Sequence, residues 1–256
     1  MQRLCCLSQY AIDQTYKREF KMPQPQVIFL DAVGTLFGVQ GSVGQVYGRL
    51  ARQAGVAVEA ASLNQAFFQT FQAAPKAVFP GVPAAEIPRY EFDWWQAIAA
   101  QSFERVGVLH QFSDFPGFFA KLYAYFATAE PWFVYPDVLD TLEYWQGLGI
   151  ELGILSNFDR RLYSVLAVLD LAQFFTSVTI STEIGFAKPE PQIFAAGLEK
   201  HRCSAAQAWH IGDSLVEDYQ GARAAGLSAY WLQREAVAKA AASITSLSAL
   251  LPASPG

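Results

Sequence analysis

Asp31 closes an apolar run, Val27-Ile28-Phe29-Leu30, and is followed at once by Ala32-Val33-Gly34-Thr35. A carboxylate at the end of a buried strand is costly to hold unless a cation or a reaction makes use of it. Two further apolar runs end in polar residues. Ile150–Leu155 runs into Ser156-Asn157, and Ala208–Ile211 runs into Gly212-Asp213, with Asp218 at the fifth position beyond. Lys188 stands in Gly185-Phe186-Ala187-Lys188-Pro189, ahead of a helix whose start Pro189 favours. Brought together, these carboxylates, hydroxyls and a lysine suit a hard cation and an anionic oxygen ligand. Mg²⁺ prefers few carboxylates, a carbonyl and several waters. A phosphate dianion can approach a carboxylate only where positive charge offsets their repulsion. No histidine or cysteine cluster offers a softer metal site.

Taken singly, most of these residues have plainer readings. Thr35 can be a turn hydroxyl, Ser156 a helix cap, Asp213-Ser214 a capping pair and Lys188 a solvated surface lysine. Asp31 resists the plain reading best. His210 precedes Ile211-Gly212-Asp213 within a strand pattern and reads as a core histidine, while His110 and His201 fall on loops or helix ends. Trp94-Trp95 reads as packing, and Arg49 and Arg89 as solvated arginines or contacts for an anionic substrate.

The elements that must position these residues follow from the apolar spacing. Val43, Val46, Tyr47 and Leu50 recur at helical intervals, Ala66–Phe71 continues an aromatic-rich helix, and Tyr90–Arg105 and Phe118–Ala127 give two more. From Pro136 onward strands alternate with helices: helix Val138–Leu148, strand Ile150–Leu155, helix Arg161–Leu169, strand Ser177–Ser181, helix Glu190–Lys200, strand Ala208–Ile211, helix Glu217–Ala225 and strand Ala229–Leu232. Gly149 and Gly226 close two of these helices. The alternation predicts an α/β fold, a doubly wound, parallel, Rossmann-like sheet with a mostly α-helical insertion. We expect residues 25–40 and 131–256 to form the core and 41–130 a helical cap. Residues 1–24 read as a flexible N-terminal extension, with Met22 as the expected start of the native chain and the Ser254–Gly256 tail frayed.

The chain has 256 residues, 52% of them hydrophobic, and a formal charge of −5, which leaves no basic field for nucleic acid. No apolar run reaches the roughly 18 residues that span a bilayer. The first residues lack the apolar block of a secretory signal, and their acidic side chains count against a transit peptide. The three cysteines, Cys5, Cys6 and Cys203, have neither metal-ligand spacing nor a disulfide framework, so the expected setting is a reducing cytoplasm. The sequence assigns no oligomeric state.

In order and at these spacings, the four segments around Asp31, Ser156, Lys188 and Asp213 resemble the haloacid dehalogenase-like hydrolase superfamily, with phosphatases, phosphonatases and dehalogenases among its members. The resemblance covers the chain after Pro25, including the helical insertion. It implies that Asp31 is a nucleophile forming an aspartyl-phosphate. By the same resemblance Thr35 and Ser156 would bond the phosphoryl oxygens, with Asn157 helping through its backbone, and Lys188 would neutralise charge. Asp31, Asp213 and the Val33 carbonyl would hold Mg²⁺, and Asp218 would fix the geometry around Asp213 or Lys188. The implied partner is a small phosphorylated molecule.

Val33 departs from the phosphatase pattern Asp-x-Asp-x-Thr, in which the second aspartate serves as acid and base for about 10²–10⁴ in rate. Three readings follow. The first is a hydrolase or phosphoryl-transfer enzyme for good leaving groups, with water or another group in place of the acid. The second is phosphonatase chemistry through a cap lysine, for which Lys76 and Lys121 are available, or dehalogenation, against which Asp213 and Asp218 argue. The third is a catalytically weak protein that binds a phosphorylated ligand or a protein partner.

Overall fold

The four residues of β1 (Val27–Leu30) are fully buried, as a parallel strand covered on both faces must be. A computed structural model describes residues 24–235 and 243–252. Met22, Cys5, Cys6, the bulk of the N-terminal extension and the tail at Ser254–Gly256 lie outside the described residues. Strand β1 is flanked by β4 (Glu151–Ser156) and β6 (Ala208–Gly212), and β5 (Ser177–Ile180), β7 (Ser228–Leu232) and β8 (Ser243–Ile244) extend the sheet. The order is β5-β4-β1-β6-β7-β8, and every pairing is parallel. Leu30 pairs with Ile154 on one side and Ile211 on the other, so Asp31 emerges between the ends of its two neighbours. The order of connection reverses at β1, and open α/β sheets place their crevice at such a reversal.

Side chains alternate across the strands and build two cores. Ile28, Leu30, Ile154 and Ile211 face one layer, which is continuous with the helical insertion; Val27, Phe29 and Leu155 face the other, against Ile193 and Phe194. The insertion consists of α1 (Val43–Gln53), α2 (Ala60–Ala73), α3 (Ile87–Arg105) and α4 (Phe115–Tyr125). Ser42, Glu59 and Asp114 cap α1, α2 and α4 by accepting from free N-terminal amides. After it come α5 (Val138–Gly147), α6 (Arg161–Val168), α7 (Ser181–Ile184) and α8 (Pro191–His201). A π-helical turn (Leu215–Gln220) then runs into α9 (Gly221–Ala224).

The parallel α/β sheet with its helical insertion is what the periodicity predicts. The differences are local. A small antiparallel pair, β2 (Phe37–Val39) and β3 (Trp132–Val134), closes the base of the insertion. These strands are too short to leave an alternation in the sequence, as is β8. The aromatic-rich stretch Ala66–Phe71 lies within α2, and α8 begins at Pro191 rather than Glu190. The expected regular helix Glu217–Ala225 opens instead as the π turn. That wider turn lays Asp218 over Gly212, where a Cβ would stand 2.1 Å from the Asp218 Cγ. Among the described residues, no helix is long and apolar enough to cross a membrane.

Candidate active site

A cavity of about 340 Å³ opens at the carboxyl end of β1. Asp31, Val33, Ser156, Asn157, Lys188, Asp213 and Asp218 all line it. Of the residues that the resemblance assigns to catalysis, substrate or metal, Thr35 alone stays away: it is fully buried, and its hydroxyl has no hydrogen-bond partner among the described residues.

Lys188 lies at the centre. Its Nζ donates to Asp31 Oδ1 and to Asp218 Oδ1, both at 2.6 Å, with all three side chains nearly or fully buried. Burial opposes the lysine's charge, but the carboxylates of Asp218 and Asp31 hold its ammonium above the ordinary lysine range. Asp218 is also penalised by burial, yet Lys188 and a bond from His210 keep it well below the usual carboxylate range. Its second oxygen accepts from the Ser214 amide at 2.9 Å. Asp218 is therefore fully engaged with its protein neighbours.

Asp31 and Asp213 are not. Burial and the nearby Asp218 raise Asp31, even with Lys188 beside it. Asp213 reaches solvent at the mouth but is crowded on its other sides. That desolvation, with the like charges of Asp31 and Asp218, pushes its carboxyl up to about 7. Oxygens of Asp31, Asp213 and Asp218 lie within 4.8 Å of one another. Gly34, at φ +89°, makes room for this: a Cβ there would stand 2.3 Å from Asp213 Oδ2. Two under-neutralised carboxylates against a glycine cradle, with oxygen donors only, fit a hard divalent cation such as Mg²⁺.

Asn157 works through its side chain as well as its position. Its Oδ1 accepts from the Lys188 amide at 2.7 Å, and its Nδ2 donates to the Lys188 carbonyl and to Glu217 Oε2, both at 3.0 Å. It thereby clamps the loop that presents Lys188. Glu217 also pairs with Lys76 from the insertion, so Lys76 sits at the mouth as an ion-paired ammonium.

The loop after Asn157 ties the insertion to the sheet. Asp159 accepts from the Trp95 indole at 2.6 Å and grips Arg161 through both oxygens, at 2.8 and 2.6 Å. Arg161 donates onward to the Tyr123 carbonyl and lies 3.8 Å over the Tyr123 ring. The buried Glu91 of α3 accepts from the Arg160 amide and the Thr182 hydroxyl. Spacing in the sequence does not single out Asp159, Arg161 and Glu91, because, apart from the Asp159–Arg161 pair, their partners lie tens of residues away. The signal available was the charged run Asp159-Arg160-Arg161 directly after Ser156-Asn157. Trp95, expected as packing, lines the cavity together with Phe67 and Phe71, whereas Arg49 and Arg89 do not.

The family model for haloacid dehalogenase-like hydrolases matches residues 25–226. The chain belongs to this family. Among its relatives, haloacid dehalogenase-like hydrolase domain-containing protein 3 of Danio rerio is 32% identical over 208 residues, covering 81% of this chain and 85% of the relative. A glyceraldehyde 3-phosphate phosphatase of Methanopyrus kandleri is 35% identical over 101 residues, 39% of this chain and 43% of that protein. The HAD-hydrolase YfnB from Bacillus subtilis, solved bound to magnesium, superposes with a TM-score of 0.67 at 19% identity, over 89% of this chain and 97% of that one. At that identity the likeness shows the fold alone. In this hydrolase, the sheet's crevice and the helical insertion meet over the carboxylate-lysine cluster.

Proposed function

We propose that this hydrolase is a Mg²⁺-dependent phosphatase acting on a small phosphorylated compound through an aspartyl-phosphate on Asp31. The observation that carries the reading is the division of labour around Lys188. Asp218, oriented by His210, holds the ammonium beside Asp31, while Asp31 and Asp213 stay under-neutralised and face the cavity. Asp31, Asp213 and the Val33 carbonyl would hold the ion. Bound there, Mg²⁺ offsets the repulsion between a carboxylate and a phosphate dianion. Lys188 adds a fixed positive charge beside the attacking oxygen, and it needs no reorganisation as charge develops. Ser156, at the end of β4, offers its hydroxyl to a phosphoryl oxygen. Asn157 positions Lys188. Thr35, away from the cavity surface, has no phosphate contact in this reading.

Residues 41–130 act as the cap and 25–40 with 131–256 as the core. The stretch shared with the Methanopyrus kandleri phosphatase supports phosphate-ester chemistry. Lys76, bound to Glu217, is not presented as a free amine, which counts against an imine mechanism.

The test is a panel of phosphomonoesters, phosphonates and 2-haloacids assayed with and without Mg²⁺, on wild type and Asp31→Asn. The expected result is Mg²⁺-dependent phosphate release that Asp31→Asn abolishes, with a phosphorylated Asp31 trapped in wild type. Metal-independent halide release would replace the reading with a dehalogenase. Binding without turnover across the panel would replace it with a ligand-binding protein.

A further inference from the structure

The cavity has two unlike ends. Beside Asp31 it is polar and charged; toward the insertion it is aromatic. Phe67, Phe71 and Trp95 lie nearly parallel there, with ring planes 5° to 21° apart and centroids 5.8–6.5 Å apart. Trp132 and Phe158, with centroids 6.2 Å apart, line the same cavity. The lining contributed by residues 39–126 contains no charged side chain. A cavity walled by aromatic rings favours a flat apolar group, which can lie in offset or edge contact with them.

The one cation at this end, Arg161, is already neutralised. Asp159 engages it through two bonds, and its guanidinium lies over Tyr123, Trp95 and Phe158. It therefore offers no free charge to a second phosphate or a carboxylate on the substrate. The N–H groups of Trp95 and Trp132 are spent on Asp159 and the Phe126 carbonyl. The leaving group that fits this wall is uncharged, flat and poor in hydrogen-bonding groups.

Proton supply points the same way. Val33 beside Asp31 has no proton to give, and Glu217 is engaged by Lys76 and Asn157. The Tyr47 hydroxyl is the one O–H on the insertion side of the lining, and burial makes it an even weaker acid than a free phenol. With Asp31 and Asp213 given to the ion in the phosphatase reading, a leaving oxygen on the insertion side departs without a strong acid beside it. A phenol ionises near pKa 10, whereas an alkanol is about as weak an acid as water, near 15.7.

Building on the phosphatase reading, we propose that the substrate is an aryl phosphate, a phosphate monoester of an uncharged phenol-type ring seated against Phe67, Phe71 and Trp95. An Asp31 carboxylate oxygen forms the bond to phosphorus as the bond to the aryl oxygen breaks. The electron pair leaves on that oxygen as phenolate, which takes its proton from water. A second water then attacks the aspartyl-phosphate at phosphorus, releasing phosphate and the Asp31 carboxylate and giving its proton to solvent.

The experiment compares kcat/KM for 1-naphthyl phosphate, glyceraldehyde 3-phosphate and acetyl phosphate on the full chain with Mg²⁺, in wild type, Asp31→Asn and Phe71→Ala. Acetyl phosphate has a good leaving group but no ring. The expected order places 1-naphthyl phosphate at least about 100-fold above each of the others. In Phe71→Ala that preference shrinks about tenfold through KM, and Phe71→Leu recovers part of it. Equal or reversed preference in wild type, or an undiminished preference in Phe71→Ala, overturns the aryl inference and leaves the phosphatase reading standing. Absence of Asp31-dependent turnover on all three compounds overturns the phosphatase reading, and the inference falls with it.

Discussion

His210 Nε2 stands 2.9 Å from Asp218 Oδ1, the same oxygen that Lys188 holds at 2.6 Å. Burial keeps the imidazole's pKa below its usual value, so a neutral ring donates from Nε2 and orients the carboxylate without competing with Lys188 for charge. Replacing the histidine loosens the chain of contacts that runs from Asp218 through Lys188 to Asp31. We predict that His210→Phe lowers kcat about tenfold with little change in KM and costs roughly 1–3 kcal/mol of stability. Steady-state kinetics with denaturant unfolding check this. A rise in KM alone would assign His210 to packing.

Lys188→Met should be harsher. It leaves Asp31 and Asp218 buried without their shared cation, and breaking such a pair costs about 3–5 kcal/mol. Thermal and denaturant unfolding should show that loss, together with loss of turnover. Adding Asp218→Asn to Lys188→Met should restore part of the stability and none of the activity.

The carboxyl of Asp213 sets a pH dependence. Its folded-state value of about 7 lies above the ordinary 3.8, so the metal-free protein binds more protons than the unfolded chain between those limits. Stability without metal should therefore fall as pH rises through that window. Mg²⁺ must displace the same proton, so its half-saturating concentration should rise up to about tenfold per unit below pH 7. The Trp231 indole donates to the Asp213 carbonyl at 2.9 Å and serves as a fluorescence reporter for the titration. A flat profile from pH 5.5 to 8 would contradict the assignment.

Gly34→Ala combines a left-handed backbone, costing roughly 1–2 kcal/mol for an alanine, with a Cβ placed against Asp213. The expected outcome is a weaker Mg²⁺ response, read by the same fluorescence titration, in a protein that still folds. Unaltered Mg²⁺ affinity would mean that the glycine serves only the turn.

Val33→Asp places an acid beside Asp31 where wild type has none. It should raise kcat/KM for cyclohexyl phosphate relative to phenyl phosphate by at least about tenfold, because protonation helps the poorer leaving group more. An unchanged ratio, with the fold intact by circular dichroism, would show that leaving-group protonation does not limit this site.

Much of this was legible in the chain because it is local. Val27–Leu30 running into Asp31, and the matching strand ends before Ser156 and Asp213, give the sheet, its crevice and the acidic cluster from spacing alone. The contacts that shape the cavity are not local. Arg161 is neutralised by Asp159 two residues away, but it is seated by Trp95 and Tyr123, whose approach depends on how the insertion folds back. His210 reads as a core residue and is one; its bond to Asp218 exists because a π turn, invisible to helical periodicity, brings that carboxylate over Gly212. Trp95 carries the same apolar signature whether it fills a core or walls a cavity.

The stretch from Ser156 to Arg161 carries two duties within six positions. Its first two residues line the cavity beside Lys188, and its last three fasten the insertion through Trp95, Tyr123 and Glu91. Any swing of the insertion therefore pulls on the backbone that aligns the reacting groups. Opening and chemistry would then share one mechanical joint, and a substrate that spread the aromatic end too far would displace the residues beside Lys188. Size selection would then show as slow turnover of bulky compounds that still bind, a fidelity set by leverage as much as by fit.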